Sequence, residues 1–369
     1  MTVFKRSVLQ NNGDVDTAKF ELVEVELTPP PPGHIQVKIS KAGCAFADTA
    51  IRMGQYPGAA KPKMTLGYDL VGTVTALGEG VSGFAEGDRV VALTMWGAHQ
   101  QYVNIPSEKP GTSLDGFTPL GGPGRIAKVP ASCAAIPDEK IVAMVLNYVT
   151  AYQMLFRVAK LSKESTDQVV LVHGAAGGVG TAVLDLAKVY GIRVIGTASR
   201  AKHNFVRKLG GEPVDYRDQD WEPEVHKLVN NQGVNVVLDP VGGSNLNKSW
   251  RVLKSDGSMI CFGGSSMHPR EKGKLGGLFT FVWTLLTSKI FSWFSRQSFT
   301  FYIIMDMNDA NKGAGSDWEK DTAALFELAA AKKIDPVIDS VVPLSDVQAA
   351  LARLDNKDTK GKIIIDCTK

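Results

Sequence analysis

Cysteine is scarce in this sequence and does nothing by spacing. The four residues, Cys44, Cys133, Cys261 and Cys367, lie far apart, with no Cys-x-x-Cys and no Cys/His cluster. A disulfide framework and a zinc ribbon are thereby excluded as the basis of the fold. An excess of one charge is also missing. The 41 Lys and Arg against 38 Asp and Glu leave a formal +3 with no long basic run, so nucleic acid is not expected as a partner. Met1-Thr2-Val3-Phe4-Lys5-Arg6-Ser7 lacks the apolar core of a signal peptide. Asp366-Cys367-Thr368-Lys369 is not a prenylation box, because its Cys is third from the end. The expectation is a reduced, soluble, cytoplasmic protein. Its 369 residues, 44% hydrophobic and 21% charged, are ordinary for a globular chain of two domains or one large α/β unit.

The first hundred residues read as short strands punctuated by Gly and Pro. Ile35-Gln36-Val37-Lys38-Ile39 alternates apolar and polar at period 2, following the stiff tract Pro29-Pro30-Pro31-Pro32-Gly33. Leu70-Val71-Gly72-Thr73-Val74 and Arg89-Val90-Val91-Ala92-Leu93 are further β-branched runs, which predicts a β-rich lobe of mostly antiparallel strands. From Ser107 to Arg125, repeated Gly and Pro mark a long surface loop. After about residue 140 the period changes. Ile141 to Phe156 is helical in pattern, and Val169-Val170-Leu171-Val172 reads as a parallel strand buried on both faces. Val179, Ala182, Val183, Leu186 and Ala187 then mark one helix face. Strand signals recur at Val194–Thr197, Val234–Asp239 and Ser258–Phe262, and Lys202 to Leu209 is a helix between the first two. The alternation implies βαβ units in a parallel sheet. Asp321 to Lys333 reads as a late helix and Lys362–Asp366 as a closing strand.

The most informative segment is His173-Gly174-Ala175-Ala176-Gly177-Gly178-Val179-Gly180. It follows a strand and opens a helix, the context a dinucleotide fingerprint requires. Gly177 permits close approach of a pyrophosphate, which sits on the free N–H groups of the helix start, and Gly180 permits close helix packing. The first fingerprint position is Ala175 rather than Gly, so the pattern is A-x-G-x-x-G. An NAD site carries an acid near the end of the second strand to hold the ribose 2′-OH. Here that strand ends Gly196-Thr197-Ala198-Ser199-Arg200-Ala201-Lys202, with a hydroxyl and two cations suited to a 2′-phosphate. The pattern therefore points to NADPH. The same residues also read as a solvated helix start with Ser199 as N-cap.

The order of motifs resembles the medium-chain dehydrogenase/reductase superfamily, in its zinc-free quinone oxidoreductase and enoyl reductase branch. The matching stretches are Gly43-Cys44-Ala45-Phe46-Ala47-Asp48-Thr49, Arg52-Met53-Gly54-Gln55-Tyr56-Pro57, Leu66-Gly67-Tyr68-Asp69-Leu70-Val71-Gly72, Gly87-Asp88-Arg89-Val90, the Gly-rich turn, Asp239-Pro240-Val241-Gly242-Gly243 and Gly361-Lys362-Ile363. The likeness covers nearly the whole chain, fails at 107–125 and is loose from about 268 to 298. It implies an α/β protein with a cleft between two domains. One is a GroES-like, β-rich catalytic domain over 1–144, completed by 318–369. The other is a Rossmann domain over 145–317, a doubly wound parallel sheet. The implied cofactor set is Asn147, Thr150, Ala175, Gly177, Gly178, Val179, Gly180, Ser199, Lys202, Tyr216, Phe262 and Gly263. Of these, Lys202 and Tyr216 would hold the phosphate end, and Asn147 and Thr150 the nicotinamide carboxamide.

Zinc alcohol dehydrogenases of the superfamily place ligands where this chain has Ala45 and Tyr68 and a third near Leu146, so no thiolate or imidazole ligand is retained. What remains is hydride transfer to an acceptor already polarised by conjugation: a quinone, or the C=C of an enone or enoyl thioester. Tyr56 is the candidate proton donor, because related enoyl reductases implicate a Tyr at this place; the alternative is an aromatic wall. Asp69 is expected to be structural, and His99 and His173 ordinary strand or loop residues. Two rival functions stay open: a nucleotide-binding scaffold or membrane-peripheral protein of the same fold, and a zinc alcohol dehydrogenase with displaced ligands. Gly276 to Phe294 is almost free of charge and rich in Leu, Phe and Trp. It reads as a lid over a small apolar substrate, a homodimer contact or a peripheral membrane contact.

Overall fold

The computed structural model describes residues 2–56, 58–59, 61–107, 125–164, 167–217, 220–263, 296–304 and 318–369. The loop expected over 107–125 and the apolar segment 276–294 lie, almost wholly and wholly, outside the described residues. The chain divides into two compact units, Met1–Val149 with Ser316–Lys369, and Thr150–Gly315.

In the split unit the period-2 signal becomes the strand His34–Cys44, with Ile35, Val37 and Ile39 buried. It pairs antiparallel with Asp69–Leu77, with Tyr102–Pro106 and with the last strand, Lys362–Asp366. Asp69–Leu77 continues to Arg89–Leu93 and Arg125–Lys128, and Ile338–Pro343 closes the other edge as the sheet's one parallel neighbour. Ile363, Ile364 and Ile365 are all fully buried because their strand has a neighbour on each side. The chain's end is thus an interior piece of a sheet begun by its first hundred residues. A second small sheet holds Lys19–Glu26, Val3–Asn11 and Met64–Thr65.

Two buried ion pairs tie these distant segments. Lys362 Nζ lies 2.7 and 3.0 Å from the Asp69 carboxylate oxygens, and both side chains are essentially unexposed. Arg52 pairs with Asp355, joining helices Phe46–Arg52 and Val347–Asp355. The first pair lies against Gly43, where a Cβ would stand 2.2 Å from Asp69 Oδ1 and 2.5 Å from Lys362 Nζ.

In the central unit six strands are all parallel, in the order Glu212–Asp215, Arg193–Ala198, Val169–His173, Val234–Asp239, Leu253–Cys261, Ser298–Phe301. Numbered along the chain this is 3-2-1-4-5-6, the order of a doubly wound nucleotide-binding sheet. Val170, Leu171 and Val172 are fully buried, as a central parallel strand requires. Helix Gly178–Tyr190 ends at Gly191, whose φ of 64° gives the left-handed cap. Among the described residues one helical run, Asp138–Val158, is long and apolar enough to cross a membrane; 78% of its apolar window is buried within the protein, as in a core helix.

Candidate functional site

Chain order reverses at Val169–His173, which lies between Arg193–Ala198 and Val234–Asp239. Open parallel sheets bind ligands beyond the carboxyl ends of the strands at such a reversal. Two turns leave the strands there. The first runs from Gly174, exposed at φ 72°, to Gly177, the N-cap of the thirteen-residue helix Gly178–Tyr190. The N–H groups of Gly178, Val179 and Gly180 belong to the first turn, which has no intrahelical acceptors. At Gly180 a Cβ would stand 2.4 Å from the Gly174 carbonyl oxygen, so only Gly lets the helix close on the turn. Ala175 is fully buried, and a Cβ at Gly196 on the adjoining strand would come within 2.4 Å of its methyl. The Ala at the first fingerprint position is thus accommodated by a Gly across the sheet. The second turn, after Asp239, meets Phe262 and Gly263: Phe262 N–H donates to the Asp239 carbonyl at 3.0 Å, and a Cβ at Gly263 would lie 2.9 Å from the Pro240 carbonyl oxygen.

After the second strand, Ser199 occupies the N-cap of the short turn Arg200–Lys202, but its hydroxyl makes no capping hydrogen bond. Arg200 is largely exposed, with Nε 3.5 Å from Asp215 Oδ2. Asp215 ends the third strand, and Tyr216 after it packs half-buried on the core. Asn147 sits in the π-helical turn Met144–Tyr148 and Thr150 in the following turn, Val149–Tyr152; both are buried.

Beneath the two turns runs a buried polar chain that sequence position does not reveal. His173 Nε2 lies 3.0 Å from Ser249 Oγ, whose hydroxyl donates to Asp239 Oδ2 at 3.0 Å. His173 Nδ1 lies 3.1 Å from Thr197 Oγ1, which accepts the Gly174 N–H at 3.3 Å. The proton count sets the tautomer. Ser249 has one hydroxyl hydrogen and gives it to the carboxylate, so Nε2 carries the ring proton and Nδ1 accepts from Thr197. Asp239 Oδ1 receives the N–H groups of Val241 and Gly242 at 2.6 and 2.9 Å. One chain of bonds therefore joins both turns. Burial lowers the His173 pKa against the opposing pull of Asp239, which keeps the ring neutral.

In the split unit, Asp48 joins two loops. Its carboxylate accepts the Ala45 N–H at 2.8 Å and the Gly67 N–H at 2.9 Å, and burial raises its pKa above the usual range. Next to Gly67, Tyr68 is 2% exposed, and its hydroxyl lies 3.0 Å from that of half-buried Tyr56. Burial raises the Tyr56 phenol, the Tyr68 hydrogen bond lowers it, and the Asp48 charge raises it again. His99 is fully buried, with Nε2 3.1 Å from the Gly43 carbonyl. Cys44 is buried, and burial pushes its thiol well above the ordinary value, so it offers no thiolate.

Known proteins match this chain along its length. The alcohol dehydrogenase GroES-like domain matches residues 31–138, and the zinc-binding dehydrogenase family matches 209–365. The human synaptic vesicle membrane protein VAT-1 homolog is 31% identical over 97% of this chain and 85% of its own. Quinone oxidoreductase 1 of Escherichia coli is 30% identical over 93% of this chain and 95% of its own. The chain belongs to the medium-chain dehydrogenase/reductase superfamily, in its quinone oxidoreductase branch. The crystal structure of the Escherichia coli quinone oxidoreductase complexed with NADPH superposes on this member with a TM-score of 0.78 at 27% identity, covering 98% of this chain and 99% of the other.

Two groups associated with such dehydrogenases can be tested for fit. A dinucleotide fits: the first-turn N–H groups at the reversal point have no intrahelical acceptors, and the space beside Gly174 is open, with nothing within 4 Å of a would-be Cβ. A catalytic zinc does not fit. Ala45 and Leu146 offer no ligand atom and Tyr68 is hydrogen-bonded to Tyr56. Among the described residues no three or more His, Cys, Asp or Glu side chains are grouped to hold a metal ion. Neither the Tyr68 hydroxyl beside Tyr56 nor the His173–Ser249–Asp239 chain has a local sequence signal: the members of the chain lie up to 76 residues apart.

Proposed function

We propose that the protein is an NADPH-dependent reductase that delivers hydride, without zinc, to a small apolar acceptor polarised by conjugation: a quinone, or the C=C of an enone or enoyl thioester. The observation that carries this reading is the phosphate-type turn at the reversal point, followed after the next strand by Ser199, Arg200 and Lys202 in place of an acid. When bound, NADPH supplies the hydride and carries the redox chemistry. Gly178, Val179 and Gly180 would hold the pyrophosphate on their N–H groups, with Ala175 and Gly177 shaping the turn. Ser199, Lys202 and Tyr216 would hold the 2′-phosphate end, Phe262 and Gly263 the opposite wall, and Asn147 and Thr150 the nicotinamide carboxamide. Tyr56 would give a proton to the reduced acceptor. The NADPH-complexed Escherichia coli relative supports the choice of cofactor.

The test is NADPH oxidation by purified protein against a panel of quinones, enones and enoyl thioesters, with and without chelator. Turnover of at least one class, indifferent to chelator, is expected. Binding of NADPH with no turnover across the panel ends the enzymatic reading. Lys202→Ala is expected to weaken NADPH about tenfold, one charge-assisted hydrogen bond's worth, and to leave NADH unchanged. Equal losses for both would remove the 2′-phosphate assignment. A second reading, attachment to a membrane, is favoured by the name of the human relative, a synaptic vesicle membrane protein homolog. Liposome flotation of the wild type against Trp283→Ala/Trp293→Ala decides it: no flotation by either protein removes the reading.

A further inference from the structure

We propose that Tyr68 is a positioning residue for proton delivery: its hydroxyl holds the Tyr56 hydroxyl and stabilises the phenolate left when Tyr56 gives its proton to a reduced acceptor. The inference rests on the reductase reading above and deepens it.

Geometry carries the first part. The two phenol oxygens are 3.0 Å apart, a normal O–H···O bond in which one ring must donate. Tyr68 is the fixed member. It is 2% exposed, its carbonyl accepts the Thr94 N–H at 2.8 Å, and the Gly67 N–H before it is held by Asp48 at 2.9 Å. Gly67 itself sits at φ 103°, with a would-be Cβ 2.6 Å from the His99 ring and 2.7 Å from the His99 N, so the backbone at 67–68 has no slack. Tyr56 is the half-buried member, on the loop after helix Phe46–Arg52.

Electrostatics carries the second part. A phenol that gives up its proton leaves a negative charge in a partly desolvated place. Burial opposes that charge, and so does Asp48, on which His99 and Lys362 act in turn with the opposite sign. Of burial, the Asp48 charge and the Tyr68 hydroxyl, the hydroxyl is the one that favours the phenolate. Once the proton has left, the Tyr56 oxygen has none to give and accepts from the Tyr68 O–H, and a bond to a charged acceptor is stronger than the neutral one it replaces. The bond therefore tightens as the reaction proceeds, which is the condition for lowering a barrier.

The step balances. The acceptor gains a hydride from NADPH at one end of its conjugated system and a proton from Tyr56 at the other. The Tyr56 O–H bond breaks, a C–H bond (O–H for a quinone) forms on the acceptor, and the electron pair stays on the Tyr56 oxygen. Solvent returns the proton to that oxygen after product leaves.

The test combines kinetics with a titration of the protein alone. Tyr68→Phe removes one oxygen and keeps the ring; Tyr68→Met repeats the measurement if the ring's new apolar edge disturbs folding. Tyr56 ionisation is read as the tyrosinate ultraviolet difference between each protein and its counterpart also carrying Tyr56→Phe. In Tyr68→Phe the Tyr56 titration is expected to move to higher pH. Turnover, kcat, is expected to fall about ten- to a hundredfold with KM little changed, the effect of a hydrogen bond to a charged group. Tyr56→Phe should cost at least as much. An unmoved titration in Tyr68→Phe overturns the proposal whatever the kinetics, and so does an unchanged kcat where Tyr56→Phe is strongly impaired. If Tyr56→Phe retains full kcat, Tyr56 is no donor and the proposal falls with that role, while NADPH-dependent reduction itself stands. Failure of the whole reductase reading shows differently, as no turnover by the wild type, and the titration then decides the tyrosine pair by itself.

Discussion

The two units build their candidate sites from different materials. In the central unit the turn after Val169–His173 works through backbone: N–H groups at a helix start, and glycines whose missing side chains let Gly174, Ala175 and the helix close together. The polar groups beneath it are neutral or singly charged and fully interlinked, through His173, Thr197, Ser249 and Asp239. In the split unit the candidate chemistry is carried by side chains, Tyr56 and Tyr68, on loops held by buried charge: Asp48, the Asp69–Lys362 pair and the Arg52–Asp355 pair. A backbone site needs only a short, correct stretch of sequence. A side-chain site needs distant segments delivered to one place, and the buried ion pairs are what deliver them.

The largest expected effect on ligand binding tests the backbone half of that contrast. In Gly180→Val the new Cβ would strike the Gly174 carbonyl oxygen, a contact 2.4 Å away that no rotamer relieves. The helix start must then lift off the turn. NADPH affinity, followed by fluorescence titration, is expected to fall about a hundredfold or more, ~3 kcal/mol, the upper range for overpacking a close contact. A variant that binds within a few-fold of wild type would mean that the turn is not built to this tolerance.

The largest expected effect on stability tests whether buried charge holds the split unit. Lys362→Met leaves Asp69 buried without its partner at 2.7 Å, and stability in urea is expected to fall by about 3–5 kcal/mol. The double variant Asp69→Leu/Lys362→Met should recover most of the loss, because two apolar side chains leave no orphaned charge. A single variant as stable as wild type would show that the pair contributes no more than an exposed one. NADPH binding, a property assigned to the other unit's turn, is expected to persist in whatever fraction stays folded.

The same contrast explains what was legible in the sequence. The strand-turn-helix at 169–190 was readable because its signal is continuous: an apolar run, a Gly-rich turn, then apolar residues at helical spacing. The departure at Ala175 became intelligible only with the fold, since the residue that makes room for it, Gly196, lies on another strand. The edge strand Glu212–Asp215 gave little period-2 signal, being four residues with Pro213 inside, as only an edge tolerates. In the split unit, Lys362 and Asp69 are 293 residues apart and nothing in either neighbourhood encodes the other. By the resemblance Tyr68 stands where a zinc ligand would be, and nothing in the sequence marks it as a partner of Tyr56. The two are twelve positions apart in the sequence, with no periodicity to set their distance.

The smallest effect concerns the neutral imidazole of His173, and its sign follows from the ring's protonation state. Burial holds the His173 pKa below its ordinary value of about 6.5, so the unfolded chain binds a proton more readily than the folded one. The ring's contribution to stability is therefore complete above about pH 6.5. It is lost as pH falls from there through the lowered native value, where protonating Nδ1 would also break the bond from Thr197. His173→Gln keeps an amide donor and acceptor but has no proton to gain. At neutral pH the variant is expected to lose about 1–2 kcal/mol, the cost of imperfectly remade buried hydrogen bonds. The gap between the two proteins' melting temperatures should then narrow on acidification, because only the wild type carries the titrating ring. A gap of constant size from about pH 7.5 to about pH 5 would mean that the imidazole is not held neutral. In that case the central unit would bury a pair of opposite charges, His173 and Asp239, as the split unit does, and the contrast between them would reduce to which atoms touch the ligand.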